Sequence, residues 1–71
     1  MMNKTRKIYG VSSKYEFGTW NHDVYAFDNK EAAEKWLATE EFDSRERELM
    51  TKTAAIKLAG RKAVANAREV A

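Results

Sequence analysis

Strand-like alternation of apolar and polar residues marks two early stretches of the chain, and the period then changes. In RKIYGVSS (6–13), Ile8, Tyr9 and Val11 are strand formers, and Gly10 admits a bulge or a close neighbour. KYEFGT carries a turn in which Gly18 is the only flexible residue. TWNHDVYAF (19–27) is the second strand candidate, rich in aromatic and β-branched residues. Two such runs with a short glycine-bearing connection predict an antiparallel hairpin over about 6–27. From Asp28 onward the period is helical. Ala32, Ala33, Trp36 and Leu37 make one apolar stripe and predict a helix over about 29–39. Asp28 is its expected cap, with Glu31 reaching back to the first turn. Glu31 and Lys35 are spaced as a favourable helical pair.

EEFDSRERELMTK is ambiguous. Phe42, Leu49, Ile56, Ala63 and Val70 recur every seven residues, which favours one long helical region over about 44–70 with a break near Thr51–Thr53. Arg and Glu are also better helix formers than strand formers. With period two, Arg45 to Met50 is instead a short charged strand at the hairpin's edge, and Thr51 or Thr53 caps the last helix. Ala55, Ile56, Ala59, Ala63, Ala67 and Val70 share a face of that helix, with Gly60 beside it. A glycine there suggests close backbone approach, such as the same helix of a second subunit, or simple tolerance. The expected architecture is a single small α+β domain over residues 1–71. An antiparallel hairpin, with a third short strand as the alternative, packs on two helices, the second long and C-terminal.

Strand alternation then divides the hairpin into faces. Tyr9, Val11, Tyr25 and Phe27 are expected to face the helices. Ile8, Trp20, His22, Val24 and Ala26 fall on the outer face, with Tyr15 and Phe17 near the turn. An exposed patch of that kind marks an interaction site. A one-residue slip at Gly10 is the alternative, and it would send Trp20 and Val24 inward.

Composition narrows the chemistry. A chain of 71 residues without cysteine has a thin core and no disulfides. One histidine makes no structural zinc site. No apolar run approaches the roughly 20 residues that span a bilayer, and the basic start lacks a signal-like apolar stretch. The expectation is a soluble cytoplasmic protein. Charge is segregated: residues 1–15 hold four bases and no acid, 16–44 eight acids against two bases, and 45–71 seven bases against three acids. Such asymmetry implies distinct acidic and basic faces.

No catalytic set, cofactor motif or metal cluster is expected, and the chain is read as a non-enzyme. His22 and Asp23 are strand neighbours pointing to opposite faces, so Asp23 cannot orient His22. Glu40, Glu41 and Asp43 are close, but a metal needs more converging oxygens. A nucleic-acid footprint is the alternative, built from Lys4, Arg6 and Lys7 of the N-terminal arm with Lys57, Arg61 and Arg68 of the last helix. Partner binding fits best: Tyr15, Phe17, Trp20 and His22 supply aromatic anchors, and Glu31, Glu34, Glu40 and Glu41 supply charge. A homodimer through the C-terminal helix is the further expectation.

The run VYAFDNKEAAEKWLATEEFDSRERELMTKTAAIKLAG, and within it FD-x-x-EAA-x-x-WL, resembles small uncharacterised proteins encoded by phages and prophages. That class includes anti-CRISPR and related anti-defence inhibitors. The resemblance implies a phage-type inhibitor or modulator that binds a host protein or ribonucleoprotein complex, such as a CRISPR–Cas effector. It assigns no site residues, since those inhibitors share no common motif.

Overall fold

The structure is a computed structural model, and it describes residues 7–39 and 46–70. Strands β1 (Ile8–Glu16) and β2 (Thr19–Phe27) form the expected hairpin. Helix α1 (Lys30–Ala38) follows, then strand β3 (Glu46–Met50), helices α2 (Lys52–Ala59) and α3 (Arg61–Ala65), and strand β4 (Arg68–Val70). The sheet order is β3-β1-β2-β4; β4 runs parallel to β2, and the other neighbours are antiparallel. The α+β character stands. The hairpin with at most a third strand and the long C-terminal helix do not: among the described residues the sheet has four strands, and three helices lie between them.

The region expected as one helix from about 44 to 70 breaks for two physical reasons. Residues Glu46–Met50 pair with Tyr9–Ser13 and satisfy the backbone groups along that edge of β1. That tertiary demand outweighs the helix propensity of Arg and Glu. Further on, Gly60 takes φ +100°, which a continuous helix cannot contain. It separates α2 from α3, and a Cβ built on it would meet nothing within 4 Å. The glycine therefore turns the chain, no described part of the same chain approaches it closely, and the uninterrupted helix expected over this region is not formed. Thr51 caps α2 by accepting from the Ala54 amide, as the strand reading anticipated. Helix α1 is capped one residue later than expected. Asn29 accepts from the Ala32 amide at 2.7 Å, while Asp28 pairs with Lys7 at 3.1 Å.

The face assignment is also corrected. Phe17 and Gly18 alone form the turn, both with positive φ (54° and 80°), the signature of a type I′ hairpin. Ile8 then lies opposite Phe27, and Val11 opposite Val24, with no bulge at Gly10. Tyr9 and Val11 thus share a face with Val24 and Ala26, not with Tyr25 and Phe27. Both faces of the sheet are covered. On one, Tyr9, Val11, Val24 and Ala26 pack with Ala55 and Val64 of α2 and α3, and Met50, Ile56, Ala59, Ala63 and Ala67 close around them. On the other, α1 lays Trp36 against Tyr25 and Phe27, with ring centroids 5.3 and 5.4 Å apart. The Arg47 guanidinium stacks on the Trp36 ring at 4.7 Å and donates to the Trp36 carbonyl.

Candidate docking surface

The hairpin is longer than the strands flanking it. Among the described residues, β3 pairs with β1 over Tyr9–Ser13 and β4 with β2 over Tyr25–Phe27. The distal half projects past both. It presents Tyr15 at 60% exposure, Phe17 at 96% and Trp20 at 48%.

These side chains are ordered by cross-strand pairing. Tyr15 lies opposite Trp20, and their rings meet edge to face at 5.4 Å. Trp20 lies parallel to the His22 imidazole, centroids 6.4 Å apart and planes within 4°. His22 lies opposite Ser13, and its Nδ1 is 2.7 Å from the Ser13 Oγ. That contact spans nine positions in sequence and was not foreseen; the two-residue turn, which sets the register, was the signal that could have found it. Beyond Trp20 and His22 an open groove of about 350 Å³ runs to Leu58 of α2, with buried Val11 at its base and Glu46 and Glu48 of β3 on its rim.

The Ser13–His22 contact sets a hydroxyl beside an imidazole, and among the described residues no carboxylate is found hydrogen-bonded to that imidazole. Glu46, Arg47 and Glu48 border the same groove, so residues of both charges line it. The contact is suited to holding the imidazole flat beneath Trp20.

The other residues singled out in the sequence are dispersed. Glu31 and Glu34 are exposed on α1, across the sheet from Trp20. Of the basic set, Lys57 and Arg61 are exposed on α2 and α3, while Arg68 sits on β4 with its guanidinium 5.9 Å from the Tyr25 ring centroid, on the α1 side. These three therefore do not form the single stripe expected of one helix. Lys7 is paired with Glu69 at 2.5 Å and with Asp28. Lys4, Arg6, Glu40 and Glu41 lie outside the described residues.

Among the described residues, no group of three or more His, Asp or Glu side chains is placed to hold a metal ion, and no helix is long and apolar enough to cross a membrane. Comparison with protein-family models, curated proteins and solved structures finds no match to this chain.

Proposed function

We propose that this chain is a non-catalytic binding protein that acts in the cytosol by docking on a larger protein complex, with the hairpin tip as its anchor. One observation carries this reading. Phe17 stands in the left-handed region (φ 54°) and is 96% exposed. Both properties run against preference: a type I′ turn favours Asn-Gly at its centre, and a bulky residue at positive φ is strained. A phenylalanine kept there contributes nothing to the core of its own chain. Strain of this kind, held at an exposed position, is characteristic of ligand contacts. Tyr15 and Trp20 flank it with rigid rings of the type that dominate interface energetics. An inhibitor of a host immune complex is one member of this functional class.

The test is affinity capture from lysate with wild-type protein and with Phe17→Asn, followed by titration of the purified captured protein. Phe17→Asn restores the preferred turn pair, so stability in chemical denaturation should hold or rise by up to about 1 kcal/mol. Binding should nevertheless weaken by roughly 30-fold or more, the equivalent of about 2 kcal/mol for a lost anchor. Trp20→Ala should weaken binding likewise. Undiminished binding by a folded Phe17→Asn variant would sink the proposal, as would a wild type that captures nothing beyond what the variant captures.

A further inference from the structure

The side chains of the hairpin tip account for one surface; the backbone beside them defines another. β4 pairs with β2 over Tyr25–Phe27 only. Among the described residues no strand lies along the same edge of β2 from Thr19 to Asp23. The hairpin closes on the pair Glu16 and Thr19 around a two-residue turn. In this geometry Thr19, Asn21 and Asp23 exchange main-chain bonds with β1, while the N–H and C=O groups of Trp20 and His22 point outward. Exposed edges are usually blunted by lysine, proline or a bulge. Residues 19–23 contain neither lysine nor proline, their one acidic residue, Asp23, stands at the end of the segment, and their pairing with β1 is continuous.

We infer that this edge of β2 pairs with the same edge of a second copy, antiparallel, about a two-fold axis at Asn21. Geometry selects the register. Outward-pointing residues must face outward-pointing residues, so Trp20 and His22 face either each other or themselves. With His22 opposite His22, Thr19 would fall opposite Tyr25 of the second copy, where Arg68 already pairs. With Trp20 opposite Trp20, the paired segment shrinks to Thr19–Asn21. Centring on Asn21 sets Trp20 against His22 of the second copy, and Thr19 against Asp23, just short of β4. Each Trp20–His22 pair exchanges two main-chain hydrogen bonds.

The side chains agree with that register. On one face the half-exposed indole of Trp20 gains a second imidazole neighbour, extending the stacking already present within each chain. On the other face Thr19 meets Asp23 and Asn21 meets Asn21, so no two like charges are opposed. The contact is self-complementary, as a two-fold interface must be. It joins two four-stranded sheets into one, through an interface small enough to be in reversible equilibrium.

Sedimentation equilibrium of the full chain should show a mass that rises with concentration from 8.2 kDa toward twice that value. Asn21→Lys places two lysines face to face on the axis, away from the Trp20 groove, and should raise the dissociation constant by roughly fivefold or more. The chain has no cysteine, so single-cysteine variants report the register directly. Asn21→Cys should form a covalent dimer rapidly under mild oxidation. Thr19→Cys and Asp23→Cys should not, because equivalent residues there stand about 13 Å apart, beyond disulfide reach. A mass that stays at the monomer value up to millimolar concentration overturns the inference. So does a dimer that is unaffected by Asn21→Lys, or that cross-links no faster at Asn21 than at Thr19 or Asp23.

Discussion

Gly10 lies beneath the indole of Trp36. A Cβ built there would stand 2.6 Å from one ring carbon of Trp36, 2.9 Å from another and 3.0 Å from the Phe27 ring. Phe27 is fully buried and cannot yield easily. Gly10→Ala should therefore cost about 1–3 kcal/mol, the usual penalty for overpacking. Trp36→Ala removes the centre of that layer and should cost about 3 kcal/mol or more. The two costs should not add. In the Trp36→Ala background the two closest contacts are gone and the one with Phe27 remains, so Gly10→Ala should cost clearly less than it does in the wild type. Urea denaturation of the two single variants and the double variant measures this coupling. Additive losses would mean that the ring does not press on Gly10.

At the scale of elements, the C-terminal strand is the least supported. Among the described residues β4 has three residues and one neighbouring strand, β2. Lys7, just before β1, ties it down through Glu69 and at the same time holds Asp28 at the end of β2. Hydrogen bonding to Glu69, and then to Asp28, raises the Lys7 pKa above its ordinary 10.5. A raised folded-state pKa means that the stabilisation is complete below the unfolded value, and that it disappears as pH rises through the higher folded value. Wild-type stability should thus fall more steeply above pH 10.5 than that of Lys7→Met, while the two profiles run parallel at neutral pH. Parallel profiles across the alkaline range would show that the ion pair contributes nothing to folding. The same reasoning applies to β3: its charged residues form a strand because the β1 edge needs a partner and because Met50 and Arg47 each reach a covered face.

At the scale of the molecule, the sheet is a central layer with α1 on one side and α2 and α3 on the other. The covering is uneven. Among the described residues, helices and outer strands gather at the proximal end, around Tyr9–Ser13 and Val24–Phe27, and the distal hairpin extends beyond them. The molecule is correspondingly elongated, 47 × 26 × 15 Å. Local opening free energy follows local packing. Amides of Lys14 and Asn21, which face each other across the hairpin, should exchange with solvent much faster than those of Gly10 and Tyr25 at the covered end. Native-state hydrogen exchange in dilute protein tests this directly. Equal protection along the hairpin would indicate that the tip is supported as firmly as the core. The unequal support also separates the roles of the two tryptophans: Trp36 holds a layer together, while Trp20 stands where the layers end.

Local chemistry made the hairpin, the first helix and the alanine face legible in the sequence. Strand formers flanking a short glycine-bearing turn, and an Ala-Ala-Trp-Leu stripe at helical spacing, act within a few residues and need no distant partner. The exposure of Tyr15 and Phe17 followed from their place at the turn. What depended on partners far along the chain was decided by the tertiary structure. The hairpin faces turned on whether its loop holds two residues or more, because one residue more reverses every side chain of one strand relative to the other. Residues 46–50 became a strand because β1 offered an edge, and no local propensity records that offer. Gly60 is a break because the chain must fold back there to deliver β4 to β2. Ser13 and His22 meet because register places them opposite, and Glu31 and Glu34 part from Trp20 because a helix and a strand adjoining in sequence cover opposite faces of one sheet. Short-range preferences therefore determined which elements this chain can form, and the pairing of backbone edges determined which of them it uses.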